Sequence, residues 1–184
     1  MSNDVINIIE RRRSTRSFKQ KQVSDEALQA ILDAGRCAPC AGKPCHITVV
    51  QNTALIAKIN TAAKQAALHM GMPHLERLGS DPAFVGSYGA PTIIIVSDQE
   101  EAVAPDLNAG AAAENMLIAA ESLGLGACWV HFPLFFLYGS QVDEIFCELK
   151  LPAGSKPRAC IAFGHKGAES EATQREYSEV TFIK

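Results

Sequence analysis

Between Arg11 and Lys21 the chain carries six basic residues (Arg11, Arg12, Arg13, Arg16, Lys19 and Lys21) and no acid. Guanidinium groups bind phosphate through paired N–H donors, and serine hydroxyls and backbone N–H groups can complete the cradle. In an extended strand Arg12, Ser14 and Arg16 alternate, so their side chains point to one side. Such a row can hold a phosphate and reach a second polar group further along the same ligand. Read alone, the segment is also compatible with a solvated basic stretch.

Three further groups could do chemistry. Cys37, Cys40 and Cys45 cluster, but their spacing does not match the ferredoxin run, and no second pair lies near enough to complete a four-ligand zinc set. Loop or buried thiols and a Cys37/Cys40 redox pair both remain readings of this cluster, and no metal site is assigned. His131 is a candidate acid/base at the end of a strand, or simply part of a core or pocket wall. Phe132 to Tyr138 (FPLFFLY) is apolar enough to expect burial against a second copy of the chain. The phosphate-binding G-x-x-x-x-G-K-[ST] loop, the dinucleotide glycine turn, the serine elbow and H-E-x-x-H are all missing.

The periodicity predicts the elements that must position these groups. Val5 to Ile9 give a short amphipathic helix ending near Arg12. Ser24 reads as the cap of a helix that ends at Gly35, followed by a Pro- and Gly-containing loop over Cys37 to Pro44. Strands are expected at His46 to Gln51, Thr92 to Val96, Ala127 to Phe132 and Arg158 to Phe163, with a fifth in the tail at Tyr177 to Ile183. The continuous run TIIIV fits a strand covered on both faces. Helices are expected at Thr53 to Leu68, Asp106 to Leu123 and Gln141 to Leu149, with at most one short helix between His69 and Gly89. The helix at Asp106 is Ala-rich and nearly uncharged, as a buried helix is. This is a single α+β domain over 1–184, a sheet of four to five strands surrounded by helices, with apolar helix faces that favour a homodimer.

At 184 residues, 47% apolar and 20% charged, the chain has an ordinary globular composition. A net charge of -3 argues against nucleic acid as the partner, and no run of 18 apolar residues spans a membrane. A cytoplasmic location is the expectation.

The order of four segments resembles the FMN-dependent nitroreductases, FMN being flavin mononucleotide. These are R-R-S-T-R-S-F after a short apolar helix, A-P-C-A-G-K-P before a strand, the stretch from Asp106 through NAGAAAENM to LGLGACW, and ACIAFG followed by a polar stretch ending at Arg175. The resemblance implies that Arg12 pairs with the FMN phosphate, that Arg13 and Ser14 line the phosphate and flavin edge, and that Arg16 lies by the N1/C2 edge. It implies that Pro39, Cys40 and Ala41 reach the cofactor from a second subunit and that Arg175 is a further phosphate ligand. Trp129, His131 and Phe132 would run beside the flavin ring, with a backbone N–H of His131 or Phe132 near N5. The implied activity is ping-pong hydride transfer from NADH or NADPH to a small nitroaromatic- or quinone-like acceptor. A flavin-storing or sensory dimer without turnover and a cysteine-based redox or metal protein are the alternatives. The loop after Cys40 departs from the family: Lys43 leads directly to Pro44 and Cys45, and the usual Pro-Trp is absent. Asn60 is the one candidate for an asparagine that reads the flavin pyrimidine.

Overall fold

The computed structural model describes residues 3–168 and 178–184. Its four-stranded antiparallel sheet has the order β1-β2-β4-β3. The strands are β1 (His46–Val50), β2 (Thr92–Gln99), β3 (Gly126–Trp129) and β4 (Ser155–Gly164). Around it lie α1 (Asp4–Arg11), α2 (Asp25–Arg36), α3 (Thr53–Ala67), α4 (Pro73–Ser80), α5 (Pro105–Ser122), a 3-10 helix (Phe132–Tyr138) and α6 (Val142–Leu149). The α+β class is as expected.

β2 explains the layering. Ile93 and Ile95 enter the apolar cluster beneath α3 and the 3-10 helix, while Ile94 and Val96 enter the cluster beneath α2 and α5. Adjacent strand residues face opposite ways, so a run without polar interruptions fits a sheet covered on both sides. The helices begin where side chains satisfy their first N–H groups. Ser24 Oγ accepts from Ala27 N at 3.2 Å and Asn52 Oδ1 from Leu55 N at 3.1 Å. α5 presents Ala109, Ala112, Ala113 and Ala120 to the sheet, all buried. Gly35 lets α2 settle against it: a β-carbon there would lie 2.8 Å from Met116 Cγ.

Three expectations need correcting. Residues 178–184 form no strand and are exposed. β3 stops at Trp129, because the chain turns into the 3-10 helix at Phe132. That apolar stretch is buried within the protomer: Phe132, Leu134 and Phe136 are core residues, although Tyr138 is 71% exposed. Phe132 packs edge-on against Phe84 and Phe135. α1 is the opposite case, for none of its residues is buried and Val5 and Ile6 are half exposed or more.

Candidate functional site

The basic segment is held against β3. Ser14 bridges Ala127 in parallel, and Thr15 N donates to Ala127 O at 3.0 Å. Further on, Phe18 bridges Lys166, while Lys19 N donates to His165 O at 3.0 Å. Extended backbone fixes which side chains share a face. Thr15, 1% exposed, points inward onto Gly126, where a β-carbon would meet its Cγ2 at 2.7 Å. Gly126 has no positive φ, so its role here is space rather than conformational freedom.

Arg12, Ser14 and Arg16 therefore share the other face, and all three act on the Cys128 thiol of β3. Burial pushes that thiol up, while the Arg16 charge, a hydrogen bond with Ser14 and the Arg12 charge pull it back down. Arg16 also lies over the Tyr88 ring, 5.9 Å from its centroid. Arg12 lies 3.9 Å from Glu114 of α5. Arg13 has a different surrounding: its Nη1 donates to the carbonyls of Glu10 at 2.7 Å and Arg12 at 2.9 Å, bracing the turn out of α1. Glu121, buried, anchors the same region by pairing with Arg11 at 3.0 Å and Lys166 at 3.1 Å.

Trp129, 43% exposed, follows Cys128 directly, and its ring edge approaches Gly110 of α5. His131 is exposed and stacks edge-on with Phe135 at 5.4 Å. Phe132 buries its ring, so only its backbone can face a ligand beside Trp129. Arg175 lies outside the described residues.

Pro39, Cys40 and Ala41 sit at the other end of α5. Ala41 N donates to Asn108 Oδ1 at 2.9 Å, and Asn108 in turn donates to Asp98 Oδ2 at 3.1 Å. Asn108 precedes Glu114, the contact of Arg12, by about 9 Å of helix rise and lies on a buried rather than an exposed face. Pro39 and Cys40 line a cavity of about 510 Å³ with Arg36, Cys45 and Asn108, and none of Arg12, Ser14 or Arg16 lines it. One protomer does not bring the loop and the arginines together.

The three loop thiols make no disulfide, and the described residues hold no group of three or more His, Cys, Asp or Glu placed for a metal. Burial, the Asp98 charge and a hydrogen bond to it push Cys45 up to about 11. Asn60 is spent internally: its Nδ2 donates to Ile56 O and Ser87 Oγ, and its Oδ1 accepts from Ser87 N. It pins the 81–91 loop. Cys128, Thr15 and Gly126 were missed by sequence reasoning. Only the pairing of Ser14 with Ala127 reveals them, and no local signal encodes that pairing.

The nitroreductase family model matches residues 9–165. A nitroreductase with bound FMN from Bacteroides fragilis is 30% identical, with all of both chains covered and a TM-score of 0.91. A nitroreductase from Desulfitobacterium hafniense, 24% identical over the whole of both chains, shares the fold with a TM-score of 0.91. A Methanothermobacter thermautotrophicus protein named "Putative NADH dehydrogenase/NAD(P)H nitroreductase" is 29% identical, the match covering 93% of this chain and 81% of the relative. No helix among the described residues is long and apolar enough to cross a membrane. The chain belongs to the nitroreductase family.

Proposed function

We propose that this protein is an FMN-dependent oxidoreductase that uses NADH or NADPH to reduce a small organic acceptor, and that it works as a homodimer. One observation carries the reading: the pairing of Ser14 and Thr15 with Ala127 lays Arg12, Ser14 and Arg16 along one face of an extended segment beside Cys128, one residue before the exposed Trp129. The donor set fits the cofactor. Two guanidinium groups and a hydroxyl suit a phosphate and a polar ring edge, and the Trp129 ring suits a flat aromatic system. The Bacteroides fragilis relative carries FMN, and the name of the archaeal relative points to a nicotinamide donor.

FMN, when bound, supplies hydride chemistry at its N5 atom. Arg12 and Ser14 would hold its phosphate, with Arg175 as a further ligand. Arg16 would set a positive charge beside the pyrimidine edge, where it favours an electron-rich ring. Trp129 would flank the ring and keep water from it, and the backbone at His131 and Phe132 would border the same edge. Donor and acceptor, nitroaromatic- or quinone-like, would occupy the open cleft in turn.

The dimer reading rests on exposed apolar side chains and an incomplete cleft. α1 buries nothing, and Val5, Ile6 and Ile9 are exposed together with Leu107 of α5. The loop with Pro39, Cys40 and Ala41 borders a cavity that Arg12, Ser14 and Arg16 do not line, so it would complete the partner's site. Cys45, pushed up to about 11, is a poor nucleophile at neutral pH and lends the thiol-redox reading little support.

The test is an absorption spectrum of the purified protein, then anaerobic mixing with NADH or NADPH. A flavin spectrum that bleaches within seconds is expected, with a solution mass twice 19.7 kDa. Protein that stays colourless and ignores added FMN overturns the proposal, and flavin that stays oxidised for minutes turns it into a storage protein.

A further inference from the structure

A second cavity, of about 440 Å³, is lined by His131 and lies between the 3-10 helix, α6 and the start of β4. That volume falls within the range of ligand pockets, roughly 300–1,000 Å³. One wall is apolar, made by Leu137, Val142 and Phe146. The other carries Lys156, Pro157 and Arg158. In a regular strand these three neighbours would alternate between faces. They face one cavity because β4 bulges here. Val96 pairs with Ala159 and Ser97 with Pro157, which leaves Arg158 as the extra residue. A bulge interrupts the ladder and re-aims a side chain, and bulges are common beside active sites.

The re-aimed arginine is poorly satisfied. Its Nε is sealed from solvent and has no hydrogen-bond partner among the described residues. Its ion pair, Nη1 to Asp106 Oδ1, measures 3.5 Å, and the Asp106 side chain is 79% exposed. A charge-assisted hydrogen bond is about 2.7–2.9 Å, so this contact is loose and open to water. Lys156 pairs with Glu100, again on the exposed surface. The cavity thus offers an apolar wall, two cations whose carboxylate partners Asp106 and Glu100 are solvent-exposed, and His131, two residues beyond Trp129.

We infer that this cavity anchors the carboxylate of an aromatic acid, through Arg158 and Lys156, and that the electron acceptor belongs to that class. The assignment of the ligand as acceptor rests on the oxidoreductase reading above; the binding site does not.

The probes are 4-nitrobenzoate and the uncharged nitrobenzene, titrated against the fluorescence of Trp129, the single tryptophan in the sequence. The acid should half-saturate at about tenfold lower concentration, the weight of one charge-assisted contact, and added salt should erode that advantage. Arg158→Gln should abolish the advantage. Lys156→Gln, a change at an exposed side chain that leaves the core intact, should reduce it. Equal affinity for both probes, an advantage that survives Arg158→Gln in folded protein or persists in full in Lys156→Gln, or displacement of the acid by ADP-ribose overturns the inference. Steady-state reduction of both probes with NADH and NADPH separates the two proposals. Turnover of nitrobenzene without preference for the acid removes only the anchor. Selective binding of the acid with no turnover of either probe removes its assignment as the electron acceptor and leaves the binding site, whereas flavin that neither NADH nor NADPH bleaches removes the oxidoreductase reading.

Discussion

Gly126→Ala tests whether the seat of Thr15 on β3 positions the arginines. The new methyl would lie 2.7 Å from Thr15 Cγ2, 2.8 Å from Oγ1 and 3.0 Å from Cβ. Thr15 cannot swing aside easily, because it is β-branched, buried, and tied by its own N–H to Ala127 O. Gly126 is itself fixed opposite Gly164 in the sheet. Overpacking of this kind costs about 1–3 kcal/mol. At about 2–4 °C per kcal/mol for a chain of this size, the melting temperature should fall by roughly 2–12 °C. The displacement moves Ser14 and Arg16 with Thr15, so the cleft should also lose FMN. Loosening one charge-assisted contact, worth about 1.5–3 kcal/mol, raises Kd roughly 10- to 150-fold in a fluorescence titration. Thr15→Ala in the same chain removes Cγ2 and Oγ1, and that hydroxyl has no partner among the described residues, so the double variant should recover much of both losses. A Gly126→Ala protein that melts early yet holds FMN with unchanged affinity would refute the reasoning: Thr15 would then pack without positioning anything.

Arg12→Ala should weaken FMN retention by about 1.5–3 kcal/mol, and an unchanged Kd would place the phosphate elsewhere. Asn60→Ala should cost about 1–3 kcal/mol by stranding Ser87 and freeing the 81–91 loop, read as early melting together with faster amide exchange in that loop. Cys45 prefers its neutral thiol in the fold, since its folded value near 11 lies above the ordinary 9. That contribution to stability is complete below pH 9 and is lost as pH rises from there toward 11. Iodoacetamide at mildly alkaline pH should accordingly modify the exposed Cys147 before Cys45, as mass spectrometry of timed samples would show.

Local sequence alone determined most of the elements. Ser24 capped its helix, the TIIIV run built a strand buried on both faces, and the alanines of α5 gave a helix that sits deep against the sheet. These are periodic or capping signals, set within a few residues of each other. The alternation of Arg12, Ser14 and Arg16 was likewise legible, because an extended backbone has only two faces. Tertiary structure decided the rest, because the deciding contacts lie far apart in the chain. Phe132 to Phe136 went to the protomer's own core because α3 and the 81–91 loop cover it, and apolar composition cannot say which surface does the covering. Asn60 went to Ser87 and not to a ligand, through a pairing 27 positions apart. The bulge at Arg158 is an offset between two strands, visible only once both are paired.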